Sequence, residues 1–448
     1  MSKILLKNAV IVNEGLSISG GIFVNDGIIC DIFRYDGEAQ RLKEAAVGAD
    51  KVYDLRGRLL LPGVIDTHVH FREPGATEKG SIATESRAAV AGGVTSFLDM
   101  PNNTPPASDA AALRAKFEIA GRDAAANYGF YLGATGSNLQ DIRDAAASGA
   151  CAVKVFMGSS TGSLLVDDAH ALRGIFSSSP LMIAAHCEDN AIINANLEQY
   201  KLQYGNDIPI SAHPLVRSRQ ACLAATKKAV ELALQTGARL HVMHVSTADE
   251  VEYLSGVMRS SDLVSAETCV QYLWFDDSDY ERYGAGIKCN PAIKTAADRE
   301  ALCQAIRAGV IATISTDHAP HLKSQKQGGL LQAASGIPLV QYSLLMMLEK
   351  VRQGVFPLQL VVEKMCHAPA RLFGLDRRGF IRKGYYADLV VVDPEAPSAV
   401  PPLSKCGWSP LTSFSSSIDY TFVNGVLAAS SGVPAEGAPS AMKLNFLR

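Results

Sequence analysis

A repeated alternation of short apolar runs and amphipathic segments begins at Val64 and restricts the possible folds more than any other feature of this chain. The apolar runs have the length of buried strands, and the segments between them are rich in the Ala, Leu, Arg and Glu typical of helices. We predict strands at 64–70, 95–100, 127–134, 152–157, 181–187, 239–245, 263–270 and 311–317. The predicted helices between the strands include 78–91, 108–122, 218–236, 248–260 and 298–308, and two more, 337–353 and 357–373, follow the last strand. Eight strands of this kind favour an α/β fold, the (β/α)8 or TIM barrel.

The segments on both sides of this barrel have strand character. Residues 3–60 alternate apolar and polar positions around turns, which predicts several short antiparallel strands and one helix near 39–49. Residues 379–393 return to the same pattern. We therefore expect both ends of the chain, 1–58 and 376–448, to build one small β-sandwich domain beside a barrel of residues 59–375. The Pro- and Ser-rich stretch 394–417 is predicted to be a loop.

Cysteine usage and charge argue against several classes of protein. The nine cysteines stand singly, without a Cys-x-x-Cys pair, which is typical of a reducing compartment. A net charge of −3 without a basic block argues against nucleic-acid binding. The first residues lack the features of a signal peptide, and no apolar run reaches membrane-spanning length. We expect a cytoplasmic protein that acts on a small molecule and binds neither nucleic acid nor membrane.

Histidines and an aspartate cluster at the carboxyl ends of the predicted strands, where such a barrel carries its functional residues. Strand one ends in His68 and His70, strand five in His186, strand six in His244 and strand eight in Asp317. Side chains two apart on a strand point the same way, so the first pair forms a chelate suited to zinc. A His-x-His pair alone more often has a structural role, but the other strand-end residues favour a metal site.

Lys154 stands inside the apolar run 152–157, where an ammonium group is costly to bury. Burial lowers the pKa of a lysine and favours its neutral amine. A neutral amine reacts with carbon dioxide, and the resulting carbamate is a bidentate oxygen ligand that bridges two cations as a carboxylate does. The alternative is a lysine that extends to solvent or pairs with an acid. The position of Lys154 among four histidines and an aspartate favours the metal role.

These residues, in this order, resemble the amidohydrolase superfamily, and longer strings resemble its dihydroorotase branch. The strings are His68-Val69-His70-Phe71-Arg72-Glu73-Pro74-Gly75, Met100-Pro101-Asn102 and Thr316-Asp317-His318-Ala319-Pro320-His321. The resemblance covers nearly the whole chain, including the flanking β segments. It implies a barrel enzyme that hydrolyses a cyclic amide.

The resemblance also implies two zinc ions per subunit, bridged by a hydroxide. Six side chains would hold them: His68, His70 and Asp317 on one metal, His186 and His244 on the other, and N6-carboxylated Lys154 on both. Asp317 would be the catalytic residue, taking the hydroxide proton and passing it to the departing amide nitrogen. The implied reaction interconverts (S)-dihydroorotate and N-carbamoyl-L-aspartate in de novo pyrimidine (UMP) biosynthesis.

The expected substrate-binding residues are Arg72, Asn102, Asn290 and His321. Arg72 offers a planar fork of donors suited to a carboxylate, and we expect Asn102 and His321 to converge with it on the carboxylate of dihydroorotate. The alternative for Arg72 is a surface ion pair with Glu73. Asn290 precedes a proline after strand seven, where the sequence is equally compatible with a ring contact and a simple turn.

Other polar residues are expected to have packing roles. His241 lies three residues before His244, and Cys187 follows His186, so strand alternation predicts that each points to the opposite face from its neighbour. Three further histidines have no partner motif and are interpreted as structural: His170, His213 and His367. The loop 321–329 is a candidate lid with solvated lysines, and Gly336-Ile337 are candidate backbone contacts to the ring.

Three stretches depart from the pattern of the dihydroorotase branch. An extra Asn103 follows Met100-Pro101-Asn102, residues 291–294 are Pro-Ala-Ile-Lys in place of Pro-Pro-Leu-Arg, and residues 339–341 are Leu-Val-Gln in place of Gly-Leu-Glu. Two alternatives therefore stay open. One is another cyclic amidohydrolase, such as an allantoinase or a dihydropyrimidinase (hydantoinase), and the other is a non-catalytic scaffold on the same barrel. A homodimer is usual in the family and is expected here.

Overall fold

Eight parallel strand positions form the barrel in the computed structural model, which describes residues 2–35, 38–158, 162–437 and 441–448. The ring closes where Val69 pairs in parallel with His318 and the amide of His70 donates to the carbonyl of His318 at 2.8 Å. The predicted (β/α)8 architecture is therefore confirmed. The barrel strands, numbered one to eight below, are Val64–Val69, Val94–Asp99, Asn127–Phe130 with Leu132–Gly133, Val153–Phe156, Ile183–His186, Leu240–Val242, Val264–Cys269 and Thr313–Ser315.

Helices surround the barrel. Most of the long helices start at a Ser, Thr or Asp side chain that accepts the N–H of the third helical residue, as Thr295 accepts that of Asp298. The α-helices are Ile82–Ala91, Ala110–Asp123, Leu139–Arg143, Ala169–Ser178, Asn190–Tyr204, His213–Val216, Arg219–Thr236, Ala248–Met258, Val270–Trp274, Asp279–Tyr283, Ala296–Ala308, Ser343–Arg352, Leu358–Val362 and Ala368–Phe373. A π-helical turn, Glu363–His367, joins the last two.

One predicted helix starts six residues later than expected. The helix expected from residue 337 begins at Ser343, because the residues before it run beside barrel strand eight. Ile337 pairs with His318, and the Val340 amide donates to the Nδ1 atom of His318 at 3.1 Å. These contacts use backbone groups that a helix would need, so residues 337–342 stay outside it.

Both ends of the chain build one β domain, as predicted. Its nine-stranded sheet contains Lys3–Asn13, Leu16–Asn25, Ile28–Arg34, Lys51–Asp54, Leu59–Pro62, Leu389–Asp393, Ser417–Val423, Val426–Ser430 and Val433–Pro434. One helix, Ala39–Val47, lies between the third and fourth strands.

Three details of this domain differ from the prediction. Strands Lys51–Asp54 and Leu59–Pro62 run parallel to the first strand, not antiparallel. The strand expected over 379–393 is limited to Leu389–Asp393, and a short ladder, Ser398–Ala399 with Ser413–Phe414, interrupts the predicted loop. The domain boundaries at 58 and 375 stay predictions.

The β domain and the barrel share buried contacts. Arg378 and Asp388 form an ion pair with both side chains less than 5% exposed. Asp388 also accepts hydrogen bonds from the side-chain amide of Asn127, on barrel strand three, and from the backbone amide of Asn424 at 2.8 Å. These contacts connect the two parts of the structure.

Within the described ranges, no helix combines the length and apolar character needed to cross a bilayer.

Candidate active site

A cavity of about 110 Å³ lies at the carboxyl ends of the barrel strands. The candidate metal ligands and the expected substrate-binding side chains line it: His68, His70, Arg72, Asn102, Lys154, His186, His244, Asn290, Asp317 and His321. Gly336 also lines the cavity, whereas Ile337, the other candidate backbone contact, does not. Parallel strands bring their carboxyl ends to one rim, which explains how residues almost 250 positions apart meet. The cavity has room for one small molecule and not for a polymer.

Barrel strand one delivers the first pair of imidazoles. His68 Nδ1 lies 2.7 Å from a carboxylate oxygen of Glu267, and His70 Nδ1 lies 2.7 Å from the side-chain oxygen of Asn102. These oxygens are acceptors, so both Nδ1 atoms act as hydrogen-bond donors. The Nε2 atoms point to one oxygen of Asp317, at 3.2 Å from His68 and 3.0 Å from His70.

This arrangement fits a cation. Burial lowers the pKa of His70 to about 4, so its ring is neutral at neutral pH. Burial pushes the pKa of Asp317 upward, but His68 and His70 outweigh that effect and the pKa of the carboxyl stays below its usual value. The Nε2 atoms of both imidazoles converge on one carboxylate oxygen, at 3.2 and 3.0 Å. Such a donor set is typical of a bound divalent metal.

A second group of donors lies beside the first. The ring centroids of His186 and His244 are 4.4 Å apart, and those of His244 and His68 are 5.3 Å apart. His186 Nε2 contacts a carboxylate oxygen of Glu188 at 2.9 Å, which leaves its Nδ1 free of a proton. Burial lowers the pKa of both His186 and His244, which favours the neutral form of imidazole that binds a metal.

Lys154 lies between these groups on barrel strand four and is fully buried. Its Nζ atom is 2.8 Å from the sulfur of Met243 and 4.8 Å from the centroid of Phe156. No carboxylate in the described ranges lies within 4 Å of this amine. Neither alternative for Lys154, a contact with solvent or an ion pair, is therefore observed. Burial lowers the pKa of Lys154 to about 8, which makes the neutral amine accessible near neutral pH.

Arg72 also lines the cavity. Its Nε donates to the carbonyl of Pro320 at 3.1 Å, and one Nη lies 3.1 Å from His321 Nε2. Burial lowers the pKa of His321 to about 3, so this nitrogen is a neutral acceptor. The alternative ion pair with Glu73 does not form, because a Glu73 carboxylate oxygen accepts the amide of Ile82 at 2.8 Å.

Two asparagines and a glycine complete the wall. Asn102 uses its oxygen on His70, so it positions a candidate metal ligand, and its NH2 group has no hydrogen-bond partner among the described residues. Asn290 has a buried Oδ1 atom without a hydrogen-bond partner among the described residues, which suits a substrate N–H. Gly336 adopts φ +144°, and a Cβ there would lie 2.3 Å from the Ala319 carbonyl. Only glycine fits this position.

The structure corrects the interpretation of His241. This histidine lies inside the barrel, with Nδ1 2.9 Å from Ser265 Oγ and Nε2 3.4 Å from Glu267. The alternation argument fails because His244 has a left-handed backbone, φ +40°, which breaks the period of the strand. Cys187 does point away from the cavity, towards the helix Arg219–Thr236. His213 and His367 contact backbone groups, as expected of structural residues.

The sequence interpretation also missed two buried carboxylates. Glu267, on barrel strand seven, contacts His68, and Glu188 contacts His186. Each carboxylate orients an imidazole, and its charge makes the ring a stronger ligand. Glu188 follows His186 by two residues, so the sequence spacing could have identified it. Glu267 was harder to identify, because its only sign in the sequence is an acidic residue inside an apolar strand.

Part of the predicted lid is fixed to the cavity wall. Lys326 was expected to be solvated, but it is buried and its ammonium donates to the carbonyls of Lys288, Ala334 and Gly336 at 2.8–2.9 Å. A short 3₁₀ turn, Lys323–Lys326, leads into this contact. The three hydrogen bonds hold the loop against the two segments that carry Asn290 and Gly336.

A closed parallel barrel with converging imidazoles, a carboxylate and a buried amine at its carboxyl rim defines the class of barrel hydrolases with a candidate metal centre. The chain belongs to the amidohydrolase family, whose model matches residues 59–428. A dihydroorotase of Methanosarcina acetivorans is 34% identical over 376 residues, which cover 81% of this chain and 79% of that protein.

Other relatives carry different names. An allantoinase of Bacillus velezensis is 32% identical over 398 residues, covering 88% of this chain and 85% of that protein. The solved structure of an L-hydantoinase (dihydropyrimidinase) from Arthrobacter aurescens superimposes with a TM-score of 0.92 at 27% identity, covering 99% of this chain and 100% of that one. The similarity therefore extends across three activities.

Proposed function

We propose that this protein is a metal-dependent dihydroorotase, which interconverts (S)-dihydroorotate and N-carbamoyl-L-aspartate in pyrimidine biosynthesis. One observation supports this activity over its neighbours. The guanidinium of Arg72 lines the cavity with no carboxylate within 4 Å among the described residues. A buried guanidinium that lines a small cavity without a direct ion-pair partner favours an anionic ligand. Dihydroorotate carries a carboxylate on its ring, whereas allantoin, hydantoin and dihydrouracil do not.

The metal centre belongs to the same proposal. His68, His70 and Asp317 would hold one zinc ion, His186 and His244 a second, and Lys154 as its N6-carbamate would serve both. Bound zinc supplies an activated water molecule and polarises the carbonyl under attack. Glu267 and Glu188 keep the imidazoles oriented.

The remaining steps use side chains of this protein. Arg72, with His321 beside it, binds the ring carboxylate, and Asn290 receives a ring N–H. Asp317 accepts the proton of the attacking water and delivers it to the ring nitrogen as the C–N bond of the cyclic amide breaks. The oxygen of water joins the carbonyl carbon, and the product is N-carbamoyl-L-aspartate. Ring closure runs the same steps in reverse and releases water.

A substrate panel tests this proposal. The zinc-loaded protein should hydrolyse dihydroorotate with kcat/KM at least about 100-fold above that for dihydrouracil, which differs only in lacking the carboxylate. Arg72→Ala should remove most of this preference and leave the metal content unchanged. Lys323→Ala, which removes an exposed cation of the neighbouring loop, is the matched control. A preference for dihydrouracil, hydantoin or allantoin, or no turnover of any of them, would contradict the proposal.

The alternatives make different predictions. An allantoinase or hydantoinase would leave Arg72 facing an uncharged ring, so Arg72→Ala would have little effect on its turnover. A non-catalytic scaffold would not need the complete ligand set that lines this cavity. The homodimer and the cytoplasmic location stay predictions from the sequence.

A further inference from the structure

The extra residue Asn103, one of the departures found in the sequence, lies in a buried hydrogen-bond network behind Arg72. Its centre is Lys116, on the helix Ala110–Asp123, with only 1% of its surface exposed. The Lys116 ammonium donates to a carboxylate oxygen of Asp99 at 2.6 Å, to the Met100 carbonyl at 2.9 Å and to the Asn103 side-chain oxygen at 2.7 Å. All three donors of the ammonium are used.

This network fixes the orientation of the Asn103 amide. Lys116 is only a donor, so the group facing it must be the oxygen of Asn103 and the NH2 group must point the other way. That NH2 group donates to the backbone carbonyl of Glu73 at 3.0 Å. The second carboxylate oxygen of Asp99 accepts the backbone amide of Phe71 at 2.8 Å.

The two backbone groups held in this way belong to the residues immediately before and after Arg72. Arg72 itself has φ +70°, in the left-handed region that residues with a Cβ atom seldom adopt. Such a conformation persists when neighbouring contacts fix it. The hydrogen bonds to the Phe71 amide and the Glu73 carbonyl provide these contacts on both sides.

We propose that Asn103 is a positioning residue: through the Glu73 carbonyl and Lys116 it holds Arg72 in the orientation that binds a carboxylate on the substrate ring. This inference rests on the proposed function, because it assigns Asn103 to the specificity of that site. Asn103 does not line the cavity, so we place its effect on the substrate in the orientation of Arg72. The loop that it anchors also carries Asn102, whose oxygen contacts His70.

A double-mutant cycle tests this proposal. Asn103→Ala should raise KM for dihydroorotate about tenfold, change kcat less than about twofold, and leave zinc content unchanged. In the Arg72→Ala background the same substitution should have no further effect on KM. Asn13→Ala is the matched control, because Asn13 also bridges backbone groups, those of Ile381, but in the β domain.

If Asn103→Ala does not fold, a second variant tests the same proposal. Asn103→Asp retains an oxygen for Lys116 but has no donor for the Glu73 carbonyl, so it should raise KM in the same way. An unchanged KM in both variants, or an equal rise in KM with and without Arg72, overturns the role of Asn103. If Arg72→Ala itself leaves KM for dihydroorotate unchanged, the proposed function fails instead, and the two failures are thereby distinguished.

Discussion

Glu267 and His68 join the seventh and first barrel strands through a contact of 2.7 Å between a carboxylate oxygen and Nδ1. Both side chains are buried, at 0% and 1% exposure. Glu267 has two further contacts, with Thr67 Oγ1 at 3.0 Å and with His241 at 3.4 Å. Burial raises the pKa of Glu267, but its contacts with His241 and His68 outweigh that effect and hold the pKa far below its usual value. The carboxylate stays charged behind a candidate metal ligand.

Glu267→Gln should weaken zinc binding about 10- to 100-fold, because a neutral amide orients His68 without increasing its basicity. Competition with a chromophoric chelator measures this change. Glu250→Gln, which alters another buried carboxylate away from the cavity, should leave zinc affinity unchanged. Equal zinc affinity in wild type and Glu267→Gln would show that this contact does not act on the metal.

Removal of metal should abolish hydrolysis, and reloading should depend on bicarbonate. The reason is that Lys154, whose pKa is lowered to about 8 by burial, must react as a neutral amine to become a carbamate. Metal content after dialysis against zinc, with and without bicarbonate, measures the effect. Lys154→Met should lose the bicarbonate dependence, whereas Lys364→Met, at a buried lysine bound to the Ile311 carbonyl, should retain it. Full loading of Lys154→Met would be inconsistent with a bridging carbamate.

Lys326 should make the stability of the protein depend on pH. Burial lowers its pKa from the usual 10.5 to about 7. Between these values the unfolded chain binds a proton that the folded chain does not, so the free energy of unfolding rises with pH in this window. Lys326→Met should lose this rise, measured as denaturant midpoints from pH 7 to 10. Lys323→Met, at an exposed position, should keep the wild-type increase of the free energy of unfolding with pH. The same increase in Lys326→Met would show that Lys326 is not its source.

The pair of Arg378 and Asp388 should stabilise the junction of the two domains. Asp388→Ala leaves a buried guanidinium without its counter-charge and should lower the free energy of unfolding by about 3–5 kcal/mol. Asp376→Ala breaks only a partly exposed pair with Arg377 and should cost less than about 1 kcal/mol. Chemical denaturation measures the free energies of unfolding of the two variants. Similar costs for the two variants would mean that the buried pair contributes no more than a surface one.

Much of the candidate site was predictable from the sequence, because position in a barrel follows from chain order. A residue at the carboxyl end of a predicted strand lies at one rim whatever its distance along the chain, and His68, His186 and Asp317 all line the same cavity. Lys154 was recognisable from the cost of burying a charge in an apolar strand.

Other features were not predictable because they depend on local backbone geometry. The orientation of His241 was wrong because a left-handed residue at His244 interrupts the alternation. Lys326 was expected in solvent because charged residues usually lie there, yet three carbonyls from two other segments surround it.

The sequence by itself therefore determined the barrel, the composite β domain and the residues that meet at the rim, since strand periodicity and chain order are local properties that the residues carry directly. Only the tertiary structure decided which carboxylate contacts each imidazole, which hydrogen bonds fix the backbone around Arg72, and which carbonyls accept from the Lys326 ammonium. Hydrogen bonds such as that between His68 and Glu267 join residues far apart in the chain, and no local pattern specifies the distance or orientation of such a pair.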